Sequence, residues 1–281
     1  MIHLLYAGNA AAFDGIYLST LSIAQKTASP LTVYILTMDY REKEARYAPI
    51  HQGQCEFLET RLKRENPANT VTLIDVTDLY MTHLSGSPNE ENAYTPYAML
   101  RLLSDRVKAL PDKLLYLDTD TLAAGDILPL WETDLTGYEY AAVRDFYGCR
   151  FFGINYINSG VMLWNLTAMR ESGLLSRATA ICRKRKIFLS DQTALNRAVK
   201  HKKLLPRRFN EQKTMYPDTV IRHFSMTITW WLPIKTQNIK PWQVEAVQDT
   251  LHIHAFDPLL QEYLAVRDTL HAIQKEVPNE N

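Results

Sequence analysis

The chain is poor in cysteine, has no surplus of either charge, and contains no apolar run long enough to cross a bilayer as a helix. Its three cysteines, Cys55, Cys149 and Cys182, are odd in number and form no Cys-x-x-Cys pair. That argues against a disulfide framework or a zinc cluster and fits a reducing compartment. Lysine plus arginine and aspartate plus glutamate each number 31, so no net field draws the protein to nucleic acid or to an anionic membrane, and any anion site must be local. No window approaches the roughly eighteen apolar residues that a transmembrane helix needs. The opening stretch MIHLLYAG lacks a basic n-region and a long apolar h-region, so a first β-strand is expected there rather than a signal peptide. A cytoplasmic protein is the expectation, with peripheral contact at the inner face of the membrane left open.

What is present is an alternation of strand-like and helix-like runs. Ile2 to Ala7, Leu31 to Leu36 and Val71 to Val76 read as strands, and about Asp14 to Lys26 and Glu42 to Arg64 as helices. This βαβαβ pattern implies a mostly parallel sheet flanked by helices, an α/β fold. HLSGSPNEENAY, His83 to Tyr94, reads as an exposed loop. TPYAMLRLLSDRV follows as a helix, with Thr95 as cap and Pro96 in the first turn. Strands are expected at Leu114 to Leu117, Tyr140 to Arg144 and Tyr156 to Trp164, then helices near Gly173 to Lys186 and Asp191 to Lys200. A final amphipathic helix is expected from about Pro258 to Lys275. No internal repeat or low-complexity tract is visible.

The stretch KLLYLDTDTLA, Lys113 to Ala123, carries the first chemistry. In an extended chain Asp118 and Asp120 share a face roughly 7 Å apart, with Thr119 opposite. At an effective dielectric near 20 the pair repels by about 2 to 3 kcal/mol. Solvent, a shared proton or a hard divalent cation can offset that. The position, outside the carboxyl end of a core strand, is where open α/β sheets place their ligands.

Two enzyme classes put Asp-x-Asp after such a strand. In a haloacid-dehalogenase-like phosphatase, Asp118 would attack phosphorus and Asp120 would serve as acid and base. That signature opens its domain, however, whereas more than a hundred residues precede this one, and Gly125-Asp126 has no second carboxylate after it. The chain instead resembles glycosyltransferase family 8, a GT-A, Rossmann-like nucleotide-sugar fold. The resemblance spans roughly Met1 to Trp242 and rests on an ordered set: YAGN (Tyr6 to Asn9), YTPYAMLRLL (Tyr94 to Leu103), LYLDTDTL (Leu115 to Leu122), YINSGVMLWN (Tyr156 to Asn165), LSDQTALN (Leu189 to Asn196), RHF (Arg222 to Phe224) and KPW (Lys240 to Trp242).

The resemblance implies one GT-A domain over 1–281. Residues 1–125 would form the nucleotide half, and 126–281 the donor-sugar and acceptor half with a C-terminal helical segment. It implies a retaining hexosyltransferase that takes glucose or galactose from a UDP-sugar to a glycan, a lipid-linked molecule or another hydroxyl acceptor, with Mn²⁺ or Mg²⁺ as cofactor. The implied metal ligands are Asp118, Asp120 and His223. The nucleotide-sugar would be bound by Ala7, Asn9, Arg101, Asp118, Thr119, Asp120, Asn158 and Lys240, and Asp145, Asp191 and Gln192 would act at the sugar. Two departures stand out. Gly8-Asn9 replaces a usual acidic residue, and seventeen positions separate His223 from Lys240. The insert, Met226 to Asn238, is compatible with an extra strand pair, and Trp230 or Trp231 with a sugar-stacking face or with core packing. A catalytically silent sugar-nucleotide or glycan-binding module on the same scaffold is the alternative of a different class.

Overall fold

The apolar runs that read as strands are buried on both sides. Ile2, Leu4 and Tyr6 face one hydrophobic core and Leu5 the other; Leu115 and Leu117 likewise share the first core, Leu114 and Tyr116 the second. Near-continuous apolar strands of this kind belong to a sheet covered by helices on both faces. In the computed structural model, residues 1–90, 95–229 and 235–275 are described. The strands are β1 (Ile2–Ala7), β2 (Leu31–Thr37), β3 (Thr70–Asp75), β4 (Lys113–Leu117), β5 (Thr121–Ala123), β6 (Tyr140–Arg144), β7 (Ile157–Asn165), β8 (Lys202–Leu204), β9 (Ile221–His223), β10 (Thr227–Thr229) and β11 (Lys235–Gln237).

Seven of them form the central sheet in the order β3-β2-β1-β4-β7-β6-β8. The pairs β3-β2, β2-β1, β1-β4 and β6-β8 are parallel, and only β7 runs against its two neighbours. The mostly parallel sheet expected from the sequence is therefore present. Helices Phe13–Ala24, Gln52–Leu62 and Asp257–Lys275 pack together on one face, while the helical segments Pro96–Arg106, Leu174–Lys184 and Ser190–Ala198 cover the other. The reversal at β7 sends the chain back beside the carboxyl end of β4, so Ile157 to Val161 lie next to the Asp-x-Asp turn.

Three expectations change. The helix expected from Glu42 starts only at Gln52. Pro49 drives the residue before it out of helical geometry, and the backbone N–H of His51 then donates to Gln54 Oε1 at 3.2 Å to open the helix. The segment from Pro96 is helical but wound as a 3₁₀ helix. Its three-residue period aligns Ala98 with Arg101, whose Nε donates to the Ala98 carbonyl at 3.0 Å. The loop after His83 is pinned rather than exposed over its described part. Ser87, Asn89 and Glu90 are buried; Asn89 Nδ2 donates to the carbonyls of Cys182 and Arg185, and Glu90 accepts from Tyr80 and Lys43. Its last residues, 91–94, lie outside the described residues, as do Trp230 and Trp231. The insert supplies the strand pair: β10 and β11 are antiparallel, with Ile228 opposite Thr236.

Candidate active site

The turn leaving β4 is fixed by its backbone. Asp118 N–H donates to the Gly160 carbonyl on β7 at 2.8 Å, Phe224 N–H donates to the Asp120 carbonyl at 2.8 Å, and Thr121 Oγ1 donates to the Asp118 carbonyl at 2.8 Å. β5 then pairs antiparallel with β9 and sets Thr121 opposite His223. One ligand atom each of Asp118, Asp120 and His223 consequently lies within 4.8 Å of the others. His223 Nε2 is 3.1 Å from Asp120 Oδ1 and 3.8 Å from Asp118 Oδ2. Glycines make this closeness possible. A Cβ on Gly160 would fall 2.2 Å from the His223 ring, and one on Gly15 would fall 2.5 Å from the Thr119 carbonyl oxygen and 2.7 Å from Trp242.

Burial works against a charge on Asp120, but a His223 imidazole carrying both ring hydrogens and the Lys240 ammonium outweigh it and hold the carboxyl well below its usual range. Lys240 Nζ donates to Asp120 Oδ2 and, at 3.2 Å, to the Phe224 carbonyl. Two carboxylates and an imidazole converge on one point, the donor set of a divalent cation. The second ring nitrogen, Nδ1, is 3.1 Å from Asn210 Oδ1. A hydrogen on Nδ1 leaves the Nε2 lone pair directed at the two carboxylates, an arrangement that a cation satisfies. The residues present therefore fit a metal ion.

Arg101 lies on the other side of Asp118 and is buried. Its Nη2 donates to Asp118 Oδ1 at 2.7 Å and its Nη1 to the Ser159 carbonyl at 2.8 Å, while Nε lies 3.2 Å from Asp191 Oδ2. The guanidinium also stacks over Tyr116 at 4.0 Å, and the Tyr116 hydroxyl donates to Asp118 Oδ1 at 2.9 Å. Desolvation opposes its charge, but Asp118, Tyr116 and Asp191 prevail and hold the guanidinium protonated beyond its ordinary range. Asp191 shifts upward, first because of burial and then because of Asp118, with Arg101 offsetting only part. Leu189, just before the helix that presents Asp191 and Gln192, has φ of 50°. A bulky residue in left-handed geometry costs about 1 to 3 kcal/mol and is held by its surroundings.

The remaining wall is organised by Asp145. Its Oδ1 accepts the N–H groups of Tyr147 and Gly148, and its Oδ2 accepts Asn158 Nδ2 at 3.0 Å and Gln192 Nε2 at 3.1 Å. Gln192 Oε1 accepts the Ser159 N–H at 3.0 Å. A continuous chain of polar contacts thus runs from Lys240 through Asp120, His223, Asn210, Asn158, Asp145, Gln192 and Ser159 to Arg101.

The sequence profile of Glycosyl transferase family 8 matches residues 4–246. The chain belongs to glycosyltransferase family 8. Glycosyltransferase GlyA of Streptococcus pneumoniae serotype 4 is 36% identical over 93 residues, which cover 32% of this chain and 13% of that protein. A putative glycosyltransferase of Haemophilus influenzae is 30% identical over 112 residues, 35% of this chain and 34% of that protein. The matched stretches thus span only a minor part of these curated relatives' length. Among solved structures, the galactosyltransferase LgtC in complex with donor and acceptor sugar analogues superposes with a TM-score of 0.68 at 19% identity, covering 99% of this chain and 98% of that one. The glycosyltransferase GlyE of S. pneumoniae TIGR4 superposes at 0.62 and 21% identity, covering 94% and 64%. The fold is GT-A. Among the described residues no helix is long and apolar enough to cross a membrane.

Of the residues singled out in the sequence, Arg101, Asp118, Asp120, Asp145, Asn158, Asp191, Gln192, His223 and Lys240 meet in the one polar network. Asp105, just beyond Arg101 on the same helical segment, pairs with Arg106 instead. Ala7, Asn9 and Thr119 are not among the side chains of that network. Leu5 pairs with Tyr116, a register that carries Ala7 to the level of Asp118, whereas Asn9 Nδ2 donates at 3.1 Å to the Arg46 carbonyl in the loop between β2 and the helix Gln52–Leu62. Asn210, Tyr116 and Ser159 were not foreseen. Tyr116 was legible in principle, since strand alternation puts it on the face of Asp118; Asn210 sits in RRFNEQ with no periodic or spacing signal.

Proposed function

We propose that this protein is a retaining, metal-dependent hexosyltransferase that uses UDP-glucose or UDP-galactose with Mn²⁺ or Mg²⁺ and delivers the hexose to a hydroxyl of a glycan or lipid-linked acceptor. The observation that carries it is the convergence of Asp118, Asp120 and His223 at the carboxyl end of β4, beside Arg101, Lys240 and the Asp191-Gln192 pair. In this assignment residues 1–125 hold the nucleotide, with Ala7, Asn9 and Thr119 toward base and ribose, and residues 126–281 hold the sugar and acceptor. The protein would act in the cytoplasm, where UDP-sugars are made, with peripheral access to the inner face of a membrane.

A cation bound by Asp118, Asp120 and His223 would neutralise charge gathering on the departing diphosphate. Lys240, tethered to Asp120, can swing its ammonium to the same diphosphate oxygens. Arg101 is held by the Ala98 and Ser159 carbonyls, the Tyr116 ring, Asp118 and Asp191, and in turn holds the two carboxylates in place. Retention can proceed through a carboxylate nucleophile or on one face of the sugar. The engagement of Asp145 favours the second, because both its oxygens already accept two donors each. In the front-face route the acceptor oxygen bonds to the anomeric carbon as the bond to the phosphate oxygen breaks. The acceptor proton passes to that phosphate oxygen, and Asp191 and Gln192 position the sugar and stabilise its developing positive charge.

The test is UDP release and glycoside formation from UDP-glucose and UDP-galactose, with and without Mn²⁺, against a panel of glycans and polyols. Metal-dependent turnover is expected with at least one donor. Donor binding without hydrolysis or transfer under all conditions would replace this assignment with a silent binding module.

A further inference from the structure

We infer that Asn210 is a positioning residue that sets the tautomer of His223, through a chain of hydrogen bonds whose polarity is fixed at Asp145 and at the Gly160 backbone. The inference rests on the metal site proposed above. A neutral imidazole carries one hydrogen, and the partner of the other nitrogen decides where it sits. At His223 two acceptors compete for it: Asp120 Oδ1, 3.1 Å from Nε2, and Asn210 Oδ1, 3.1 Å from Nδ1. A carboxylate is the stronger acceptor. Left to themselves, the ring would put its hydrogen on Nε2, donate to Asp120, and lose the lone pair that a cation needs.

What prevents this is the orientation of two amides. Asn158 Oδ1 accepts the Gly160 N–H at 3.0 Å, and Asn158 Nδ2 donates to Asp145 Oδ2 at 3.0 Å. A backbone N–H can only donate and an ionised carboxylate can only accept, so Asn158 cannot be reversed. Its Oδ1 also takes a donor from Asn210 at 2.9 Å, which must be Nδ2. Asn210 Oδ1 is thereby turned to His223 Nδ1 and requires the hydrogen there. Asn210 is 1% exposed, so water has little chance to substitute. Asp145, which also holds Gln192, thus ties the orientation of the sugar-side wall to that of a metal ligand.

Purified full-length protein carrying ¹⁵N-labelled histidine decides the point. In metal-free protein at alkaline pH, the nitrogen spectrum of His223 is expected to show the hydrogen on Nδ1; in Asn210→Leu it should move to Nε2. Mn²⁺ affinity in the presence of UDP, read from the paramagnetic resonance of free Mn²⁺, should weaken about 10- to 100-fold in that variant, the usual effect of removing a partner of a metal-ligating histidine. Asn210→Asp keeps an acceptor opposite Nδ1 at the same size. It should retain the Nδ1 hydrogen, and it decides the matter should the leucine variant not fold. Nδ1 hydrogen and Mn²⁺ affinity both unchanged in Asn210→Leu, or an Nε2 hydrogen in Asn210→Asp, would overturn the inference. Wild-type protein that binds no Mn²⁺ would instead remove the metal assignment, while the metal-free spectra would still report on Asn210.

Discussion

Adding one methyl group at Gly160 should disable the site without removing a polar atom. The Cβ of Gly160→Ala would lie 2.2 Å from His223 Cε1, 2.6 Å from Nδ1 and 2.9 Å from Nε2, and contacts below 3.4 Å require the neighbour to give. The imidazole must therefore retreat by about 1.2 Å. It is buried between β9 and β7 and bonded to Asn210, so overpacking should cost about 1 to 3 kcal/mol. In a domain of this size that lowers the unfolding midpoint by about 2 to 4 °C per kcal/mol. A ligand atom displaced by about 1 Å can cost about 10²-fold in turnover, or roughly 2.7 kcal/mol of barrier. Gly125→Ala is the control, because its Cβ would meet nothing nearer than 3.7 Å. The paired assays are thermal unfolding and Mn²⁺-stimulated UDP release. Equal midpoints and rates for Gly160→Ala and Gly125→Ala would refute the claim that β7 and β9 close on the histidine this tightly.

Asp118→Asn and Asp120→Asn each remove a ligand charge with little change of volume, and are expected to abolish Mn²⁺-dependent transfer while circular dichroism stays native. Arg101→Met should destabilise the fold by about 3 to 5 kcal/mol, because it strands the buried Asp191 and takes the guanidinium from half-buried Asp118. Arg101→Lys should not rescue it, since one ammonium cannot reproduce the planar fork; denaturant titration measures both. The Asp120 pKa is depressed in the folded state, so its contribution to stability is present above the ordinary value of 3.8 and is lost as pH falls through the folded value. The stability gap between wild type and Asp120→Asn should accordingly hold from about pH 5 to 7 and narrow below about pH 4 in acid denaturation. Mass spectrometry during turnover with a slow donor should find no glycosyl adduct on Asp145 or Asp191; a trapped adduct on either would replace the front-face route with double displacement.

Elements that draw their own periodicity from burial were legible from the start. β1, β2 and β4 are apolar on both faces, and the final helix buries Leu259, Leu260, Tyr263 and Leu270 at the spacing that announced it. The misplaced start at Glu42 came from reading a charged, propensity-rich run through Pro49. The exposed-loop expectation for His83 to Tyr94 failed because polar composition does not reveal that Asn89 and Glu90 have buried partners far along the chain.

For the site, the ordered motifs brought Asp118, Asp120, His223, Arg101 and the Asp191-Gln192 pair into view, because short-range chemistry is written in short stretches of chain. Sequence alone thus determined the alternating architecture, the Asp118-Asp120 pair after a core strand and the family. Tertiary structure alone decided that Gly160 makes room for His223, that Lys240 reaches Asp120, and that Asn210 stands between Asn158 and the imidazole. Those outcomes depend on hydrogen-bond direction and on approaches of a few ångströms between residues distant in sequence, and no local pattern encodes either.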